Sequence, residues 1–358
     1  MITRLIEEVI VQSLFRNKNK KGFGFVMRKI ALLLTVSLVV LLSACGGGGT
    51  SKDSIDVIKF ADAGWDSIRV HNSIARVIVE EGYGYDTDET NGTSAATFQA
   101  LEKGDVNVYM EVWTDNLKEI YEKALDKETI LSLSTNFDDN SQGLYVPTYV
   151  IEGDEERGIE PIAPDLKTVE DLAKYADLFQ DPEDSSKGRI IGGPSSWIVS
   201  EHLATKVETY GLDETFNYLA PGSDSAIVAS LVGAYSKGEP WVGYYWSPTW
   251  VTAKYDLTLL EDNPYDEAVW NENKGTEFAP SDVVIAVNKD LATQAEDVVE
   301  FLKNYKTSNA LTEDMLEYME ETEADADETA KWWMKENEDV WTEWVSDEVA
   351  EKVKTAIK

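Results

Sequence analysis

Cysteine is almost missing. The chain of 358 residues holds one, Cys45, so no intrachain disulfide can form. Histidine occurs twice, at His71 and His202. There is no His-Glu-x-x-His and no pair of cysteines, which removes the usual zinc donor sets. Both histidines are expected to pack or face solvent. No Gly-x-x-x-x-Gly-Lys-Ser/Thr loop and no Gly-x-Ser-x-Gly elbow is present, so neither nucleotide hydrolysis nor serine-esterase chemistry has its parts. Basic residues are scarce: Lys and Arg number 32 against 67 Asp and Glu, a formal charge of −35. Phosphate backbones need basic partners, so nucleic acid is excluded as a partner. The acid excess reads as a solvated surface. No catalytic residue, metal or cofactor is expected.

Apolar runs are short. The longest near the start, residues 30–42, has 13 residues, against ~20 for a spanning helix. It follows basic Arg28 and Lys29 and precedes Leu42-Ser43-Ala44-Cys45. That order of charge, apolar core and small residues is a signal-peptide layout. Met27 stands at its head and is expected to be the true start. Leu-Ser-Ala-Cys resembles the lipobox of bacterial lipoproteins, which implies lipidation of Cys45 as the mature N-terminus. Residues 1–44 are then leader, and residues 45–53, rich in glycine, a flexible tether.

From residue 54 the pattern alternates. Strands are expected at 55–61, 106–112, 189–193, 241–245 and 282–287. Helices are expected at 67–81, 94–103, 116–125 (capped by Asp115), 169–176, 198–210, 224–237 and 291–305. Alternation of this kind implies an α/β fold with mainly parallel sheets. Residues 143–150 look like an extended crossover, and 152–165 read as loop. Asp86–Gly92 faintly matches a calcium loop, but its glycine is one place late and Thr97 stands where a bidentate Glu is required. It reads as an acidic loop. The expected plan is a two-lobed clamshell: residues 54–150 open lobe 1, 151–275 form lobe 2, and 276–358 return to lobe 1 and end in helices. Tandem domains are the alternative. Ligands of such folds sit between lobes that close by a hinge.

Tryptophan is abundant, at 11 residues. Trp65, Trp113, Trp197 and Trp246 each stand where an expected strand gives way to polar residues that open a helix. Open α/β sheets place ligands at strand ends, and aromatic faces attract organic cations. Trp332, Trp333, Trp341 and Trp344 lie at helical spacing in the tail and are expected to pack the last helices onto lobe 1.

Ala61-Asp62-Ala63-Gly64-Trp65-Asp66, the run from Gly104 to Trp113, Gly193-Pro194-Ser195-Ser196-Trp197 and Tyr244-Tyr245-Trp246-Ser247-Pro248-Thr249-Trp250 carry a likeness to a known family. The chain resembles substrate-binding proteins of ABC transporters for glycine betaine and related osmoprotectants. The resemblance implies a periplasmic-binding-protein-like clamshell and a membrane permease as partner. It also implies a tryptophan box for a quaternary ammonium head, built from Trp113, Trp197 and Trp246, with Trp65 as a further wall. Many relatives have histidine where this chain has Thr249, which offers only a hydroxyl to the ligand's carboxylate. Backbone amides at Gly64 are a second candidate donor, with Asp62 and Asp66 close by. Glycine betaine is the expected ligand; choline, carnitine and proline betaine are alternatives. An enzyme acting on a cationic substrate is a more distant one.

Stable attachment to a membrane takes two acyl chains. Cys45→Ser is therefore expected to release the protein to the medium or leave an unprocessed precursor. Fractionation with intact-mass measurement checks this. Properly cleaved Cys45→Ser protein still on membranes would refute the anchor.

Overall fold

The computed structural model describes residues 55–279 and 281–358. Cys45, Met27, the leader and the tether lie outside the described residues.

The first half of lobe 1 is strand β1 (Val57–Asp62), helix α1 (Asp66–Val77), β2 (Asp86–Asn91), α2 (Ser94–Lys103), β3 (Val108–Trp113), α3 (Lys118–Asp126) and β4 (Ile130–Phe137). Lobe 2 follows with β5 (Ser141–Pro147), α4 (Tyr149–Glu152), β6 (Gln180–Asp181), β7 (Asp184–Ile191), α5 (Val199–Thr209), β8 (Phe216–Leu219), α6 (Asp224–Lys237), β9 (Gly243–Ser247), α7 (Trp250–Lys254), β10 (Leu257–Leu259) and α8 (Glu267–Asn273). The chain then returns through β11 (Val283–Asn288), α9 (Leu291–Gln294), α10 (Glu296–Asn304), α11 (Asn309–Thr322), α12 (Ala326–Glu336), α13 (Glu338–Trp341) and α14 (Asp347–Ala356).

Two sheets result. The first has the order β2-β1-β3-β11-β4 and the second β10-β5-β9-β7-β6, with β8 paired to β7. In the first sheet β1 runs parallel to β2 and β3, while β11 enters antiparallel between β3 and β4. β3 and β11 are buried along their whole length, as strands covered on both faces must be. β11 thus ties the returning chain into lobe 1. In lobe 2, buried Lys206 on α5 pairs with Asp262 and donates to the carbonyl of Thr276, which anchors the segment leading back.

Several expected elements differ. Residues 86–91, read as an acidic loop, form edge strand β2, paired in register with β1. Its alternating exposure leaves Asp86 and Asp88 on a solvated edge, where charge deters further pairing. The helix expected over 67–81 is α-helical to Val77 and widens to a π-turn at Ile78–Tyr83. Gly82 in that turn is where α14 crosses: a Cβ there would meet Val349 Cγ1 at 2.6 Å. Asp115 caps nothing, because α3 begins at Lys118 after Leu117. The helix expected at 169–176 is two 3₁₀ turns, Glu170–Lys174 and Ala176–Leu178. β5 already belongs to the second sheet, paired to β9 and β10. The chain therefore changes sheets at 138–140 rather than near 150.

One apolar cluster runs from one side of the first sheet, through Trp65, Trp113, Trp197 and Trp246, into lobe 2. A second lies under the C-terminal helices and holds Ile58, Phe60, Val70 and Ile74 with Trp333, Trp341 and Trp344. The tail tryptophans thus serve packing. Trp341 is fully buried, and its indole N–H donates to the carbonyl of Met334 at 2.6 Å. Half-buried Trp332 stacks on Tyr318. Helix α12 packs on α1, where the Ser73 hydroxyl donates to Asp327 at 2.6 Å.

Trp341→Ala is expected to cost about 3–5 kcal/mol, the range for emptying a buried aromatic site. Denaturant unfolding checks this. The ligand affinity of the protein that remains folded should stay within about twofold of the parent, because Trp341 packs in the second cluster and not with the strand-end tryptophans.

Candidate ligand-binding site

β1 ends at Asp62, and the chain turns through Ala63-Gly64 to place Trp65 at the N-cap of α1. Gly64 has φ +101°, a conformation that side chains resist. Its N–H donates to Asp62 Oδ1 at 2.8 Å. Trp113 is the last residue of β3, two places after Glu111. That spacing puts both side chains on one face of the strand. Trp197 follows the turn after β7, and Trp246 is the penultimate residue of β9. Tyr244 precedes it by two and shares its face.

All four strand-end tryptophans meet in one cavity, with about 430 Å³ of unfilled space that is partly open to solvent. Ser94, Asn116, Leu117, Ile198, Val199 and Tyr244 complete its walls. The rings stand nearly at right angles: Trp65 to Trp197 at 5.5 Å and 88°, Trp197 to Trp246 at 5.1 Å and 81°. Tyr244 backs Trp246 at 5.8 Å and 22°. Trp113 is braced edge-on by Phe137 at 6.0 Å.

The indole N–H groups fix these planes. Trp65 Nε1 donates to Glu111 Oε2 at 2.7 Å, and Trp113 Nε1 reaches the same oxygen at 3.4 Å. The Ser67 hydroxyl adds a third bond at 3.1 Å. Glu111 is wholly buried, and burial pushes its carboxyl up to about 7 despite these donors. Its Oε1 has no hydrogen-bond partner; His71 Nε2 stands 3.7 Å away. Burial holds His71 down at about 3, so the imidazole is neutral, with the Tyr305 hydroxyl at 2.8 Å from Nδ1.

The lobes touch across the cleft. Trp197 Nε1 donates to the carbonyl of Ala63 at 3.0 Å, and the Ser94 N–H to the carbonyl of Ser196 at 3.2 Å. Asn116 Nδ2 reaches Gln142 Oε1 at 3.2 Å, and Lys118 pairs with Glu267.

Two expected donors are placed elsewhere. Thr249 caps α7 in a reciprocal box with Thr252 and lines a separate small pocket with Asp66, Asp224 and Tyr245. The Gly64 N–H is taken by Asp62. Asp62 and Asp66 both bind Arg69, each at 3.1 Å, and neither lines the tryptophan cavity. No Lys or Arg lines it either. Glu111, Tyr244, Ser94 and Asn116 were missed from sequence. A lone acid two residues before Trp113 in an apolar strand was the one available signal. Among the described residues no cluster of three His, Cys, Asp or Glu could hold a metal, and no helix is long and apolar enough to cross a membrane.

Residues 56–336 match the family model described as the substrate-binding domain of ABC-type glycine betaine transport systems. The chain belongs to this family. It is the substrate-binding receptor of an ABC-type transport system of the glycine betaine class, and such receptors work outside the cytoplasm, with a permease as partner. A trimethylamine N-oxide-binding protein of Pelagibacter ubique is 26% identical over 321 residues, 88% of this chain and 99% of that protein. A glycine betaine/carnitine transport binding protein of Listeria monocytogenes is 32% identical over 148 residues, 40% of this chain and 44% of that protein. Among solved structures, a choline-binding protein of an ABC transporter in complex with choline superposes with TM-score 0.69 at 20% identity, over 85% of this chain and 98% of that one. Lactococcal OpuAC, closed on glycine betaine, gives 0.64 at 19% identity, over 82% and 100%. At such identities the structural likeness establishes the fold: an α/β two-lobed clamshell.

The Trp197–Ala63 bond crosses between lobes while the Trp197 ring faces the cavity. Trp197→Phe keeps a ring and loses this bond, worth about 0.5–1.5 kcal/mol. The unliganded receptor should populate the closed form about two- to tenfold less. Small-angle scattering should report a larger radius of gyration; an unchanged value would deny the bond a part in closure.

Proposed function

We propose that the tryptophan cavity is a cage for the trimethylammonium head of a compatible solute, with Trp65, Trp113, Trp197 and Trp246 as its walls. The observation that carries this reading is the near-perpendicular setting of Trp65, Trp197 and Trp246 around one mostly apolar cavity. Ring faces at right angles surround a roughly spherical cation with negative quadrupole on several sides. The two sheet-based lobes, joined at 138–140 and before β11, are the units that close on it. Receptors of this kind hold and hand over a solute without transforming it. We further propose that Cys45 carries the lipid anchor and that the leader ends at Ala44.

Glycine betaine is the first ligand proposed. Its carboxylate would fall to Ser94 and Asn116, the neutral polar side chains of the wall. Gly64 and Thr249 are not used for it. A second reading is a solute with one small polar atom, trimethylamine N-oxide or choline. The absence of a lining Lys or Arg favours it, as does the N-oxide-binding relative aligned over nearly its whole length.

Calorimetry with glycine betaine, choline, trimethylamine N-oxide and carnitine ranks these readings. Tightest binding of glycine betaine supports the first, and tightest binding of the N-oxide or choline supports the second. A desolvated cation–aromatic contact contributes up to about 2 kcal/mol. Each of Trp113→Ala, Trp197→Ala and Trp246→Ala should therefore weaken binding by about tenfold or more, and Phe at the same positions by less. Unchanged affinity in all three would refute the cage.

A further inference from the structure

We infer that Glu111 is the positioning and charge-selecting residue of the cage. Its carboxylate sets the planes of Trp65 and Trp113 and, when ionised, strengthens the binding of net cations more than that of zwitterions. This rests on the cage reading above and goes beyond it, because Glu111 does not line the cavity.

The geometry is specific. One oxygen, Oε2, collects the indole N–H of two cage walls and the Ser67 hydroxyl. An indole that donates to a carboxylate is polarised by it, and the ring gains electron density that a cation on its face can use. The other oxygen, Oε1, is buried and unpartnered. The groups facing Glu111 come from every element around it. Helix α1 supplies Ser67 and His71, β3 supplies Tyr109 and Trp113, and Tyr305 and Thr312 stand behind His71. None is a lysine or arginine. The neighbouring Asp62 is already paired with Arg69. His71 stays neutral down to about pH 3. An ionised Glu111 therefore has no counter-ion inside the empty protein, and a cation in the cage would be that counter-ion. A zwitterion brings its own carboxylate and gains less.

Proton linkage follows. With Glu111 pushed up to about 7, part of the empty receptor carries a proton there at neutral pH. A bound cation favours the ionised form and expels that proton. Cation affinity must then rise with pH across this range, by up to about tenfold between pH 6 and pH 8.

The test uses tetramethylammonium, choline and glycine betaine on the intact soluble protein. Calorimetry at pH 6, 7 and 8, in two buffers of different ionisation heat, reads affinity and proton release together. Expected results are tighter binding of both cations at higher pH, proton release near pH 7, and a shallower slope for glycine betaine. E111Q keeps an acceptor for the indoles and should flatten all three profiles and abolish proton release. Flat profiles with no proton release in the parent overturn the inference, whether or not E111Q folds. So does an E111Q protein that keeps the parental slopes. If neither these three solutes nor trimethylamine N-oxide binds the parent, the cage reading itself fails. Binding with a flat profile removes Glu111 and leaves the cage standing.

Discussion

Four indoles have to reach one point from two sheets that are separate hydrogen-bonded units. Open α/β sheets receive ligands at their strand ends, where side chains held by the sheet can face a cleft. Trp65 and Trp113 arrive from β1 and β3, and Trp197 and Trp246 from beyond β7 and from β9. Much of the architecture serves that convergence. β11 returns to bind β3 and β4, which keeps the end of β3 rigid, and Lys206 with Asp262 holds the path back.

The same tryptophans work twice. In the proposed cage their faces are the walls, and the N–H groups of Trp65, Trp113 and Trp197 make the bonds that set it. Trp65 and Trp113 are tied within lobe 1 to one oxygen of Glu111, whereas Trp197 is tied across the cleft to Ala63. The first pair can be pre-organised in the open receptor, because strand pairing and Glu111 suffice. The Trp197 bond exists only when the lobes meet. Pre-organising half of a site and completing it on closure keeps ligand capture linked to the shape a permease reads. Burial raises the cost of an ionised Glu111 and makes each of its hydrogen bonds stronger. Its other oxygen, Oε1, is buried without a hydrogen-bond partner, as are Asn116 Oδ1 and Gln142 Nε2 at the cleft.

The C-terminal helices play a different part. Trp333, Trp341 and Trp344 are buried in the second apolar cluster, beneath the C-terminal helices. Being aromatic and at helical spacing did not distinguish them from cage residues by composition. Their position did: they lie within or between helices, while the four cavity tryptophans lie where strands end.

Local pattern carried much of the design. The α/β class, the central strands and the strand-end positions of Trp65, Trp113, Trp197 and Trp246 were legible because apolar runs and strand ends are properties of short segments. Edge strand β2 was not, since its Asp86–Asn91 sequence shows no apolar alternation and becomes a strand only by pairing with β1. The transfer of β5 to the second sheet likewise depends on partners more than 90 residues away. Thr249 and Gly64 were plausible donors by motif. Their hydrogen-bonding capacity is spent within a few residues, on the α7 cap and on Asp62, which only coordinates reveal. Glu111 is the reverse case: its chemistry is visible in one letter, but its role comes from Trp65, 46 residues earlier, arriving at the same oxygen as Trp113. Sequence by itself determined which side chains could face a cation. The tertiary structure decided which of them meet and which donors remain free, because those depend on distances between segments that no local pattern encodes.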